Sequence, residues 1–333
     1  MFFKRTTSLG VAGVSLAIVA TALLAPNSGN VLSSVFREEV RNSLSGRVGT
    51  DGPILVVKID DTRAAHPQIG LEYADVVYVE QVEGGLTRLA ALYSSQLPPL
   101  IGPVRSARIS DIELLAQYGR VGFAYSGAQK KMRPVIAAAN LENLSAERNP
   151  PSIYGKDPER PGPVNMVLKP DLLLERANAN PKINIEKAST YLFDFGDAPE
   201  NGVPTSTAKA KWPSAKYELR WNEVDEKWLI YFGDQPNLAA SGEHLYADTA
   251  IIQEVSITPS IYGDKFGEIT PFSKTTGTGN AVMLRDGFSY KLSWERTTEA
   301  DKTIWRTLDG EIASFKPGRI WIFLTDKPVV LAP

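Results

Sequence analysis

The chain has 333 residues, 43% apolar and 22% charged, with a net charge of -2. It has no cysteine, which excludes disulfides, thiolate zinc, iron–sulfur clusters and cysteine catalysis. The absence of a basic excess argues against a nucleic-acid partner, and two distant histidines, His66 and His244, argue against a multi-histidine metal centre or a serine triad.

Met1–Gly10 carries Lys4 and Arg5 and no acid, and Val11–Ala25 is apolar or small throughout. A basic start before such a run is an export signal. Ala20-Thr21-Ala22 fits a cleaved signal peptide, whereas the run from Leu9 is at the short edge of the ~17–25 residues that span a bilayer. Either reading places the body outside the cytoplasm, and an uncleaved segment makes the membrane a partner. Residues 26–51 read as a stalk or linker, with a helix from Ser33 or Ser34 through Leu44 on the fourfold spacing of Phe36, Val40 and Leu44.

The expected fold class is α+β: a mixed α/β domain over 52–178, a linker over 179–213 and a mainly antiparallel β domain over 214–333. Pro53–Asp60 is a buried strand ending in Asp60-Asp61, and acids at a strand's carboxyl end either line a crevice or cap a turn. His66 lies in a loop, as a hydrogen-bonding residue rather than a ligand. Ala74–Val82 is a second strand carrying Glu80, and Glu83-Gly84-Gly85 turns the chain into Leu86–Tyr93, a strand or short helix that carries Arg88. Arg105 and Arg108 stand just before a helix capped by Ser110 and running to about Tyr118. Guanidinium forks beside the free amides of a helix start favour an anion, and the same arginines could instead pair with Asp60, Asp61, Glu80 or Glu83. Val121–Ser126 is a third strand and Met132–Leu144 an alanine-rich helix. Ser145–Gly162 is a long loop of the kind used for binding, followed by a helix from about Lys169 to Ala177.

In the remainder, Tyr217–Trp221 and Trp228–Phe232 form a hairpin. Thr249–Ile257 is a strand followed by a glycine-rich loop through Gly263, Gly267, Gly277 and Gly279. Ala281–Leu284, Phe288–Trp294, Thr303–Thr307 and Arg319–Leu324 are further strands, with Asp286-Gly287 as a hairpin turn. The six tryptophans are expected in the core.

The first-domain motifs resemble the YerB-like family of bacterial envelope proteins. The resemblance rests on Ile59-Asp60, Ala64, Pro67-Gln68, Gly70-Leu71, Ala74-Asp75-Val76-Val77-Tyr78, Val82-Glu83-Gly84-Gly85-Leu86-Thr87-Arg88 and Ile101-Gly102-Pro103-Val104-Arg105-Ser106-Ala107-Arg108. A looser match follows at Arg285-Asp286-Gly287, Trp294, Arg296 and Lys316-Pro317-Gly318-Arg319-Ile320-Trp321. It implies an envelope address and two domains of unknown function, with no established activity. Many relatives look like lipoproteins held by a modified cysteine, so this chain's anchor would be the apolar run itself. Where the family often shows a Pro-His-Asn-Leu-Tyr-like segment, this chain has Pro163-Val164-Asn165-Met166-Val167, without the histidine.

The functional expectation is a binding module for an anionic envelope component, a polyprenyl phosphate or a glycan. Its candidate ligand-binding residues are Arg88, Arg105, Arg108, Asp60, Asp61, Glu80, Glu83, Gly84, Gly85 and Asn165, with no cofactor. One alternative is a hydrolase or phosphotransferase using Mg²⁺ or Ca²⁺ held by the four acids. The other is a non-enzymatic scaffold for envelope-assembly proteins.

Overall fold

A strand from late in the chain sits at the middle of the largest sheet. The computed structural model describes residues 39–188, 192–264 and 267–333. In chain order the strands are β1 (Leu55–Asp60), β2 (Val76–Gln81), β3 (Thr87–Tyr93), β4 (Val121–Ala124), β5 (Leu141–Asn143), β6 (Tyr154–Lys156), β7 (Met166–Leu168), β8 (Val203–Pro204), β9 (Thr207–Lys211), β10 (Lys216–Asn222) and β11 (Lys227–Phe232). They continue as β12 (Gln235–Pro236), β13 (Tyr246–Ala247), β14 (Thr249–Glu254), β15 (Ser256–Gly263), β16 (Ile269–Lys274), β17 (Gly277–Arg285), β18 (Phe288–Arg296), β19 (Ile304–Thr307), β20 (Ile320–Thr325) and β21 (Val330–Ala332). The α-helices are short: α1 (Ile109–Ala116), α2 (Arg133–Ala138) and α3 (Pro170–Asn178).

The main sheet has 11 strands in the order β19-β18-β17-β14-β20-β2-β3-β1-β4-β5, with β8 beside β18. It is mixed: β20 runs parallel to both neighbours, β14 and β2, and β4 runs parallel to β1 and β5. Every residue of β20 is buried, as a strand covered on both faces requires. Arg41–Pro333 form one compact unit.

Alternation along the strands sorts the apolar side chains into two cores. Leu55, Val57 and Ile59 of β1 join Val77, Val79, Leu89, Trp321 and Phe323 on one face. That face is covered by a 6-stranded sheet, β12-β11-β10-β9-β21 with β13 beside β11, through Tyr217, Leu219, Trp228 and Ile230. Val56, Tyr78, Ala90, Leu92, Ile320, Ile322 and Leu324 point the other way, onto Leu114 and Leu115 of α1 and onto Phe193 and Phe315.

The fold is therefore mainly β rather than an α/β layer followed by a β domain. The alanine-rich helix expected over Met132–Leu144 stops at Ala138, because Leu141–Asn143 pairs in parallel with β4 and extends the sheet. The helix expected to reach Leu44 is absent over Arg41–Leu44, where the Gly46 amide closes a turn on the Asn42 carbonyl. The loop expected over Ser145–Gly162 contributes β6, which pairs with β7. The glycine-rich loop after Ile257 is largely the ribbon β15–β16 followed by the start of β17. Other expectations hold. The β10–β11 hairpin forms, with Tyr217 opposite Phe232 and Trp221 opposite Trp228, and Asp286-Gly287, with φ of 53° and 78°, makes the two-residue turn between β17 and β18. Trp212, Trp228, Trp294, Trp305 and Trp321 are buried. The Val11–Ala25 run lies outside the described residues; among the described residues no helix is long and apolar enough to cross a membrane.

Candidate functional site

The registers of β1, β3 and β2 set the charged residues side by side. Arg88 on β3 stands opposite Asp60 on β1 and opposite Glu80 on β2. Lys58, two residues before Asp60, points to the same face of the sheet. This face is roofed by α1, and Arg105–Arg108 is the segment that leads into that helix. The Arg105 amide donates to the Lys58 carbonyl, and the Arg105 carbonyl accepts from the Ser126 amide, so the segment is fastened between β1 and the end of β4.

Each acid on this face has a cation. Lys58 is fully buried and reaches Glu80 and, at 2.7 Å, Asp111 of α1. Burial pushes the Lys58 ammonium down to about 8, with Asp111 and then the nearby Arg88 and Arg108 acting on it in opposite senses. Arg105 Nε lies 2.6 Å from Asp60. Arg108 donates Nε and Nη2 to one oxygen of Glu83 at 2.9 and 2.7 Å, and the other Glu83 oxygen accepts from the Thr270 hydroxyl of β16. Asp60, Glu80, Glu83 and Asp111 thus face Lys58, Arg88, Arg105 and Arg108, a balanced set.

Within that set Arg88 differs. Its Nη1 donates to the Ser106 carbonyl at 3.2 Å, and among the described residues no carboxylate lies within 4.0 Å of its guanidinium. Burial first, then the neighbouring Arg108 and Arg105, push its pKa down to about 9, against the pull of Glu83 and Asp60. The same Ser106 carbonyl accepts from Arg108 Nη1 at 3.4 Å, so Arg88 and Arg108 meet on one atom. Arg105 is the open side of the group, with its side chain 23% exposed. The three guanidinium groups lie near the start of α1, close enough for Arg105 and Arg108 both to act on Arg88.

The helix start itself is built differently from expectation. Arg108, not Ser110, is the N-cap residue, and the Asp111 carboxylate accepts from the Arg108 amide at 2.6 Å. Ser110 lies inside the first turn and accepts from the Ser273 amide.

The other candidate residues make contacts of their own, none of them an ion pair with these arginines. Asp61 follows Asp60 and points to the opposite face, where it accepts from Tyr217 at 2.7 Å, from Thr87 and from Gln68, with His66 at 3.1 Å. His66 stacks on Phe232, so this knot ties the loop after β1 to the second sheet. Gly84 and Gly85 have φ of 67° and 68°, and a Cβ on Gly85 would lie 2.5 Å from Pro213. Their carbonyls accept from Ser214, so they form a turn that receives the β9–β10 connection. Asn165 is half-buried beside β7, next to Met166, whose carbonyl accepts from Val104. Among the described residues no group of three or more acids or histidines is placed to hold a metal ion. Sequence reasoning passed over Lys58 and Asp111. The available signal was a lysine inside the apolar run of β1, two residues from an acid, which can be buried only if paired.

The Glu83–Arg108 pair makes a pH prediction. Burial alone would raise the Glu83 carboxyl, but the Arg108 fork and then the Thr270 hydroxyl outweigh it and hold it below the ordinary 4.5. The unfolded chain then binds the proton more readily. Its stabilising contribution is present above 4.5 and is lost as pH falls through the lower folded value. In urea titrations the stability gap between wild type and Glu83→Gln should shrink as pH is lowered from about 6 to about 3; a constant gap would contradict this.

Comparison with known proteins decides the family. Residues 43–184 match the family described as "Protein of unknown function (DUF3048) N-terminal domain", and residues 208–322 match its C-terminal counterpart. A Bacillus subtilis (strain 168) protein named "Putative lipoprotein YerB" is 46% identical over 275 residues, covering 81% of this chain and 80% of that protein. The chain belongs to the YerB-like family. A crystal structure of the YerB protein from Bacillus subtilis superposes with a TM-score of 0.75, covering 89% of this chain and all of that one. Identity in that superposition is 20%, so it bears on the fold alone. In this YerB-like chain the two family segments share the main sheet: β1 to β5 come from the first, and β14, β17, β18, β19 and the first half of β20 from the second.

Proposed function

We propose that the chain is an extracytoplasmic, membrane-associated binding protein of the cell envelope, and that Arg88, Arg105 and Arg108 hold an anionic group of an envelope component. The envelope address is supported by the YerB-like relative, which is named a lipoprotein. The anion reading rests on one observation: Arg88 is buried among like charges without a carboxylate of its own, beside an Arg105 that reaches solvent. A phosphate at that edge would relieve the repulsion between the guanidinium groups and accept charge-assisted hydrogen bonds. Asp60 and Glu83 keep Arg105 and Arg108 in place, and Glu80 keeps Lys58. The hydrolase alternative draws no support from these acids, because each is committed to a cation or, for Asp61, turned to the other face.

Isothermal titration of the full-length chain with inorganic pyrophosphate tests the reading. Losing one charge-assisted contact of about 1.5–3 kcal/mol should weaken binding tenfold or more in Arg105→Ala. Arg105→Lys should recover only part of it, since lysine cannot present a fork. Equal affinity in wild type and Arg105→Ala would remove the proposal.

The scaffold reading has a separate observation behind it. The β15–β16 ribbon forms its own 2-stranded sheet and exposes Ile261 at 83% and Ile269 at 59%, an apolar surface of the kind that meets a protein.

A further inference from the structure

A cavity of about 890 Å³ opens between the end of β5, the loop from Arg148 to Ile153 and helix α3. It shares no residue with the arginine cluster. Its volume lies within the range of small-molecule sites, which run from roughly 300 to 1,000 Å³.

One part of the lining is aliphatic, set among polar groups such as Asn143, Asn149, Ser152 and Asn180. Leu144, Ile153, Leu173 and Ile183 form it, together with Leu172, which is 40% exposed on the solvent side of α3. Among the described residues no aromatic ring lines the cavity, so the surface offers burial of a chain rather than a stacking face for a sugar. The aliphatic surface also has a sequence origin. Leu172, Leu173 and Leu174 are consecutive on α3. Leu174 turns into the core, Leu173 is buried in the cavity wall, and Leu172 is exposed beside it.

The charge on the rim is positive. Arg148, Arg176 and Lys182 line the cavity, and among the described residues none of them makes an ion pair. Two carboxylates are present, Glu142 and Glu175. Glu142 is already committed, accepting from Arg120 Nε at 2.7 Å and from the Asn184 amide at 3.0 Å. Three cations therefore stand against one uncommitted carboxylate. Uncompensated cations around a partly aliphatic hollow are complementary to a ligand with an anionic head and an apolar tail.

We propose that this cavity binds an aliphatic amphiphile carrying a single anionic head group, its chain against Leu144, Leu172 and Ile183 and its head against Arg148, Arg176 and Lys182. The chemistry is shared by alkyl phosphates, isoprenoid phosphates and fatty carboxylates.

The test is isothermal titration of the full-length chain with decyl phosphate, geranyl phosphate and decanoate, with inorganic phosphate and decanol as probes of head and tail alone. The expected result is binding of at least one of the three anionic amphiphiles about tenfold or more tighter than either partial probe. The preferred member among the three identifies the source. Arg176→Ala, at an exposed position, should weaken that binding about tenfold. Ile183→Trp, which narrows the cavity, should weaken it about tenfold, with circular dichroism and the melting curve checking that both variants fold. Ile183→Trp should leave pyrophosphate binding at the arginine cluster unchanged, which separates the two sites. Undiminished binding in folded Ile183→Trp, loss of pyrophosphate binding in that variant, equal binding of inorganic phosphate, or no binding of any of the three amphiphiles would overturn the proposal.

Discussion

Lys58→Met is expected to destabilise the protein by about 3–5 kcal/mol, the cost of removing one partner from a buried ion pair. Lys58, Glu80 and Asp111 are all 0% exposed, so the two carboxylates would be left in the interior without a cation. The methylene stem is replaced almost isosterically, so the loss reports charge rather than packing. The triple variant Lys58→Met, Glu80→Gln, Asp111→Asn should recover a large part of that loss, because no uncompensated charge is then buried. Urea denaturation of the three proteins reads this directly. A single variant as stable as wild type, or a triple variant no better than the single, would show that the contacts carry little energy. The result also matters for the candidate site. Lys58 fastens α1 to β1 through Asp111, and the start of α1 is where Arg105 and Arg108 are presented.

Trp321→Ala should cost a similar amount, about 3–5 kcal/mol, through the cavity it would leave. Trp321 is 2% exposed as the second residue of β20, stacked on Phe323 at 5.9 Å and facing Tyr217 of the second sheet at 6.4 Å. The consequence should spread to both family segments, because β20 is hydrogen-bonded to β14 on one side and to β2 on the other. Hydrogen exchange would show it: amides of β2 and of β14 should lose protection together. Loss confined to the second segment, residues 208–322, would mean that the two segments open independently despite sharing a sheet.

The resemblance to a two-domain family encourages a picture of two successive bodies, and the strands themselves were mostly visible. β1, β2, β10, β11, β18 and β20 were legible because their apolar residues run or alternate at the strand period, and the β17–β18 turn because Asp-Gly supplies two positive φ values. The alanine-rich stretch at 132–144 misled because helix propensity is a weak prior and pairing with β4 offered Leu141–Asn143 a better use of its backbone. At the site, a grouping of Arg88, Arg105 and Arg108 near a helix start could be anticipated from the spacing of an acid-ended strand, a glycine turn and a helix start. The division of labour among the acids could not. Asp60 and Asp61 are adjacent in sequence, yet the pleat sends one to Arg105 and the other to Tyr217 and His66.

What the residue order determined by itself was local: which segments extend, where the chain turns and which side chains must be buried. What only the tertiary structure decided was partnership. Strand period says that β20 is buried on both faces but not that its neighbours are β14 and β2, some 70 and 240 residues earlier. Nor does it say that Lys58 finds an acid on a helix 53 residues away. The physical reason is that hydrogen-bonding edges and charges are generic. Any open strand edge accepts a strand and any buried cation accepts a carboxylate, so the choice among them is made only when the two cores pack.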